Sequence, residues 1–269
     1  MEKVIFIGAG SMAEAMLNGW LTTRRFAPEQ LYVSNRSNTA RLTALQQTYG
    51  VNVLTSYEEL RDATYIVLAM KPKDARAALA AIAPYLAATT QVLSVLAGIS
   101  IETIASFVGE RPIARAMPNT SAKVGMSATG IAFNTQTTPA QRAQFIALME
   151  AVGIVQEVAE DKLHAITALA GSGPAYLYYL LEAFEAVAVE YGLAGEDVRQ
   201  LMVQTMAGSA RMMQQLKEEP ATLRQQVTSP GGTTEAGIAA LQANQFSETI
   251  AEAIRRAEQR SRQLANEKE

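Results

Sequence analysis

Two glycine-bearing stretches hold the residue types and spacings that could do chemistry in this sequence. Gly8, Gly10 and Ala13 stand in the spacing G-x-G-x-x-A, between a short apolar run, Val4 to Ile7, and a helical pattern beginning at Ser11. In that setting the first glycine permits the turn, the second lets backbone approach a pyrophosphate, and the small third residue lets helix pack on strand. Amides at the helix start then face the phosphates. Alone the pattern is weak, with a glycine turn of no significance as the alternative, but its place between strand and helix favours a dinucleotide. The second stretch, TSPGGTTEAG from Thr228 to Gly237, has no His, Lys or Cys near it. Gly231 and Gly232 allow a turn without side chains in the way, and the amides around Thr233 and Thr234 begin a helix where a carboxylate fits. Thr234 either presents its hydroxyl to a ligand or serves as a helix cap.

A dinucleotide site that prefers NAD carries an acid at the end of its second strand. Here that stretch is Ser34-Asn35-Arg36-Ser37. Arg36 with neutral neighbours suits a 2′-phosphate through charge-assisted hydrogen bonds, so the expected cofactor is NADPH, with NADH second; the alternative leaves Arg36 as a solvated charge. Lys71 and His164 are the tempting acid/base groups. Lys71-Pro72 closes a strand end and reads as a cofactor neighbour, whereas His164 reads as a helix-start residue with a satisfied polar partner.

Elements must position these groups. Short apolar runs at Val4–Ile7, Leu31–Asn35, Thr64–Met70, Gln91–Gly98 and Pro112–Thr120 alternate with helix-compatible segments such as Asn38–Tyr49 and Lys73–Leu86. Strands alternating with helices imply a mostly parallel sheet covered on both faces. After about Glu160 the alternation stops, and three long helical segments follow: Pro174–Tyr191, Glu196–Glu218 and Thr233 to about Ala265. The expected fold is therefore α/β, a dinucleotide-binding domain over residues 1–160 of Rossmann type followed by an all-α domain over 161–269. Met202, Met206, Met212 and Met213 read as core filler, and the terminal LANEKE as frayed.

With 269 residues, 49% apolar and 18% charged, the chain can bury a sizeable core. A net charge of −3 offers no basic footprint for nucleic acid or an anionic membrane surface. The absence of cysteine removes disulfides and thiolate chemistry, and a single histidine removes a His-rich metal site. No room precedes Val4 for a signal segment, so a cytoplasmic location is expected. The longest apolar tract, Ala175–Tyr191, carries Glu182, Glu185 and Glu190. It is too charged to span a bilayer and is expected to be covered by its own domain or a second subunit.

Five stretches together resemble pyrroline-5-carboxylate reductase: FIGAGSMAEAM (Phe6–Met16), AMKP (Ala69–Pro72), RAMPNT (Arg115–Thr120), AGSGPAY (Ala170–Tyr176) and VTSPGGTTEAGIAALQ (Val227–Gln242). The resemblance covers nearly the whole chain. It implies reduction of 1-pyrroline-5-carboxylate to L-proline, the last step of proline biosynthesis, and self-association through the helical domain as a dimer or larger ring. It implies cofactor contacts at Ile7, Gly8, Ala9, Gly10, Ser11, Met12, Asn35, Ala69, Met70, Lys71, Pro72, Leu96, Ala97 and Gly98. Substrate contacts are implied at Ser229, Gly231, Gly232, Thr233 and Thr234, with Glu160 on the substrate side and Thr234 closest to a catalytic role. The sequence departs from the family pattern at Lys217 and Gln226, to which no role is assigned. Two other readings compete. A hydroxyacid dehydrogenase of similar plan would need a catalytic Lys, and Gly171–Glu190 has none. A non-catalytic NADPH-binding regulator would have no reason to keep Pro230–Thr234.

Overall fold

The first strand shows why the sheet forms. In β1 (Val4–Ile7) four consecutive apolar residues are all buried, which is what a parallel strand covered on both faces requires. The computed structural model describes residues 2–266. In it β2 (Leu31–Ser34), β3 (Asn52–Val53), β4 (Tyr65–Leu68), β5 (Gln91–Ser94), β6 (Ile113–Met117), β7 (Ser127–Phe133) and β8 (Gly153–Glu157) join β1 in one sheet, ordered β3-β2-β1-β4-β5-β6-β7-β8. Val4 pairs with Leu31 on one side and Tyr65 on the other. Every neighbouring pair is parallel except β6 with β7. The chain therefore crosses from one side of β1 to the other at the carboxyl ends of β1 and β4, where open α/β sheets bind ligands.

Helices α1 (Ser11–Thr22), α2 (Thr39–Tyr49), α3 (Ala75–Ile82), α4 (Ile101–Val108), α5 (Pro139–Glu150) and the short α6 (Leu163–Ile166) accompany the sheet. Phe6, Met16, Trp20 and Phe145 belong to one buried cluster, Ile5, Ile66, Leu79 and Ile104 to the other. Trp20 donates its indole N–H to the Leu148 carbonyl at 2.7 Å, which satisfies the one polar atom of a fully buried ring. A π-helical turn, Thr167–Gly171, follows α6, and Asn119 of the RAMPNT stretch donates to the Ala170 carbonyl there at 3.0 Å. Two of the stretches that carry the family resemblance thus lock together.

The remaining helices are α7 (Gly173–Glu190), α8 (Gly195–Leu216), α9 (Pro220–Gln226), α10 (Thr233–Ala243) and α11 (Phe246–Asn266). The chain divides into two compact units: one runs to Pro174 and resumes at Arg256, the other is Ala175–Arg255. Among the described residues of the second unit, Ala188 and Val198 alone are buried apolar residues. Leu177, Tyr178, Tyr179, Phe184, Leu201 and Val203 are exposed. A helical unit this apolar with so little interior of its own needs another surface.

Several expectations are corrected. β7 and β8 are absent from the sequence reading because SATGIAF and GIVQE are short on consecutive large apolar residues. The expected helix from Thr233 to Ala265 is two helices, broken where Gln245 takes φ 54°. Met212 and Met213 are 49% and 43% exposed within the chain, so neither fills its core. The expected fraying of LANEKE is not seen through Asn266, the last helical residue of α11; its final three residues lie outside the described ones. No described helix is long and apolar enough to cross a membrane, and no described group of His, Cys, Asp or Glu could hold a metal ion.

Candidate functional site

The turn from β1 into α1 separates the two glycines by cause. Gly8 has φ 108°, and a Cβ there would lie 2.4 Å from the Met70 amide nitrogen and 2.6 Å from the Ala69 carbonyl oxygen. It is glycine because the end of β4 presses against it. Gly10 has an ordinary extended conformation, φ −77° and ψ −175°, and its Cβ would meet nothing closer than 3.8 Å. The protein's own atoms give no reason for glycine at position 10, and an approaching ligand does. Gly10 is also the N-cap of α1 and contributes no side-chain cap, so the first amides of the helix are uncapped by any side chain. Ala13 is fully buried, as helix–strand packing requires.

Around this turn lies a groove of about 1010 Å³. Twelve of the expected cofactor residues line it: Ile7, Gly8, Ala9, Gly10, Ser11, Met12, Asn35, Arg36, Ala69, Met70, Lys71 and Pro72. Leu96, Ala97 and Gly98 are not in its lining; they form the turn after β5, the strand next to β4. The Asn35 side chain accepts from the Ser37 and Asn38 amides at 3.2 and 3.0 Å, folding the loop after β2. Arg36 beside it is 85% exposed, with Nη1 3.4 Å from Asp74 Oδ1. Lys71 and Lys73 add positive charge to the same groove. An open backbone approach, uncapped amides and basic side chains fit the phosphates of a dinucleotide.

Sequence reasoning missed parts of this site. Arg41 donates to the Ala9 carbonyl at 3.0 Å and pairs with Glu14 at 2.6 Å, bracing the glycine turn; no spacing signals it. Thr55, Ser56 and Tyr57 line the groove on the turn that follows β3. The capping box between Ser56 and Glu59 was the legible signal there.

In the second unit, Ser229–Gly232 is one tight turn that leads into Thr233 and Thr234 at the start of α10. Gly231 takes φ 68°, the Gly232 amide donates to the Ser229 carbonyl at 2.9 Å, and a Cβ on Gly232 would lie 2.9 Å from that oxygen. Gly232, not Thr234, is the N-cap of α10, and it brings no side-chain cap. The helix-cap reading of Thr234 is thereby removed. Glu235, also missed from the sequence, accepts from the Gly231 amide at 2.7 Å and tightens the turn. Lys217 ends α8 in a left-handed conformation, and Gln226 donates to Glu218 at 2.6 Å.

Glu160 belongs to the first unit and is engaged twice through Oε1, by the Ile101 amide at 2.7 Å and Arg115 Nη1 at 2.9 Å. His164, in the first turn of α6, shares a 2.9 Å hydrogen bond between Nδ1 and the Ser261 hydroxyl. Burial first, then the nearby Arg115 and Arg262 charges, holds its pKa below the usual imidazole value. His164 therefore has the satisfied polar partner that the sequence suggested.

Comparisons with known proteins agree with this arrangement. Residues 160–264 match the family described as pyrroline-5-carboxylate reductase dimerisation, and residues 3–98 match that described as NADP oxidoreductase, coenzyme F420-dependent. The chain is 45% identical to pyrroline-5-carboxylate reductase 2 of Bacillus subtilis, over 98% of this chain and 95% of that protein. It superposes on a pyrroline-5-carboxylate reductase from Coxiella burnetii with a TM-score of 0.92, 34% identity and 98% of each chain covered. A Plasmodium falciparum pyrroline carboxylate reductase solved with NADP bound gives 0.87, at 28% identity and 98% coverage of each.

Proposed function

This chain belongs to the pyrroline-5-carboxylate reductase family, and from that premise we propose which of its residues serve each half of the reaction. It is an oxidoreductase that reduces 1-pyrroline-5-carboxylate to L-proline with NADPH, and with NADH as second donor, and it self-associates. Its α/β domain of Rossmann type, proposed as residues 1–160, takes the cofactor. Residues 161–269 are proposed as the domain for substrate and dimerisation, and a larger ring and a cytoplasmic location belong to the same proposal.

The observation that carries the cofactor assignment is the open Cβ position of Gly10 beside uncapped α1 amides. Ser11 and Met12 present backbone to the pyrophosphate, Arg36 takes the 2′-phosphate, and Ala69–Pro72 and Leu96–Gly98 support the nicotinamide end. When bound, NADPH supplies the hydride that forms the new C–H bond at the imine carbon. The nitrogen proton needs no strong acid from the protein, because a cyclic imine can arrive already protonated from water. The chain supplies orientation instead. The amides of Thr233 and Thr234 at the start of α10 receive the substrate carboxylate, Ser229, Gly231 and Gly232 shape the turn that presents them, the Thr234 hydroxyl orients the ring nitrogen, and Glu160 lies on the substrate side.

Thr234→Val tests this directly, since it keeps the shape and deletes the hydroxyl. Loss of a substrate hydrogen bond should lower kcat/KM by about 1–3 kcal/mol, roughly one to two decades, with NADPH affinity unmoved. Because Gly232 caps the helix, the denaturation midpoint should hardly change. A lower midpoint with unaltered kcat/KM would remove Thr234 from the site.

A further inference from the structure

The turn after β5 is held from two sides. At Gly98 (φ 71°) a Cβ would lie 3.3 Å from the Ala265 Cα, so the chain near the end of α11 abuts one side. On the other side, Ile101 donates its amide to Glu160 Oε1 at 2.7 Å, and Arg115 donates to that same oxygen at 2.9 Å. Arg115 stands on β6 opposite Ser94, the last residue of β5, whose hydroxyl accepts from the Leu96 amide at 3.3 Å. Guanidinium, carboxylate and amide thus form one chain of contacts from the sheet to the start of α4, just past the turn. Helix α4 needs no carboxylate to begin, because Ser100 already caps it through the Thr103 amide at 3.1 Å.

The Arg115 side chain is only 8% exposed, and burying a guanidinium carries a desolvation cost that a bare cap would not require. Its effect is to fix the orientation of Glu160, using Oε1 twice and leaving Oε2 without a hydrogen bond among the described residues. We propose that Arg115 is a positioning residue for hydride transfer: through Glu160 it fixes the Leu96–Gly98 turn against which the nicotinamide lies. The inference rests on the proposed assignment of that turn to the cofactor.

The test uses the full chain and three readouts: amide hydrogen exchange over residues 94–104, NADPH affinity by fluorescence, and the deuterium isotope effect with 4-deuterated NADPH. Arg115→Met removes the charge at similar length. Ile101→Pro removes the donated amide, at a first helical position that accepts proline, after a Ser100 already extended at φ −73° and ψ 158°; Ile101→Val, which trims the same buried side chain and keeps the amide, is its control. The proline variant keeps the proposal testable should Arg115→Met not fold. Both variants should exchange the turn about tenfold faster, weaken NADPH, and lower kcat about ten- to a hundredfold with a larger isotope effect, as a displaced reactant requires. Arg115→Lys should restore part of this. Unchanged exchange and isotope effect with only a lower Tm would overturn the proposal. Ala97→Glu separates the two readings. If it weakens NADPH while the Arg115 and Ile101 variants change nothing, the positioning role fails alone. If it leaves NADPH affinity and the isotope effect unchanged, the turn does not serve the cofactor and both fall.

Discussion

Substituting alanine at Gly8 and at Gly10 should separate folding from cofactor binding at two positions one residue apart. At Gly8 alanine would have to take φ 108°, and its Cβ would sit 2.4 Å from the Met70 amide nitrogen, which belongs to backbone at the end of a central strand and cannot swing aside. Strained backbone and forced displacement together place the cost on the order of 3 kcal/mol or more. At Gly10 the conformation is one that alanine adopts readily, and the nearest atom is 3.8 Å away. Alanine is a poorer N-cap, costing about 1 kcal/mol at most, but it restricts the unfolded chain by a comparable 0.4–1 kcal/mol. Gly10→Ala should therefore unfold within about 0.5 kcal/mol of the parent. Its methyl occupies the space in which a pyrophosphate must approach the amides, so NADPH affinity should fall at least tenfold, about 1.4 kcal/mol. Urea denaturation and fluorescence titration on the same preparations read both quantities. Gly10→Ala binding NADPH as the parent does, or losing as much stability as Gly8→Ala, would refute the reasoning.

Two further outcomes follow from the same geometry. Arg36→Ala should weaken NADPH by about 1.5–3 kcal/mol, the scale of hydrogen bonds to a charged group, and leave NADH nearly unchanged; equal losses for both cofactors would contradict the 2′-phosphate assignment. His164 has a depressed pKa in the folded chain, so the folded state binds fewer protons than the unfolded one. Its contribution to stability is present above the unfolded value near 6.5 and is lost as pH falls through the lower folded value. The melting temperature should therefore fall less between pH 7 and 5 in His164→Gln than in the parent, and identical profiles would show that His164 is not desolvated as described.

The sequence made the glycine turn legible because its demands are local: a strand, a tight turn and a helix start within ten residues. It did not separate the reason for Gly8 from that for Gly10, since the pressure on Gly8 comes from Ala69 and Met70, sixty residues away and adjacent only through the β1–β4 pairing. Arg41 and the ion pair of Arg115 escaped notice for the same cause: their partners, Ala9 and Glu14 for the one and Glu160 for the other, lie far off in the sequence, where spacing carries no signal. The cap of α10 was assigned a choice of roles at Thr234 because threonine is a common cap. Glycine in an extended conformation took that place at Gly232. The apolar α7 was legible as a surface needing cover, because tyrosines and leucines stand around most of its circumference; whether its own domain or a second subunit covers it was not legible, because that depends on packing outside the segment.

The central claim is most directly tested by NADPH oxidation with 1-pyrroline-5-carboxylate, compared with an open-chain 2-oxo acid under the same conditions. The account predicts oxidation with the cyclic imine, L-proline as the product and no comparable rate with the oxo acid. Intact NADPH binding with no oxidation by the imine, or an equal rate with the oxo acid, would contradict it.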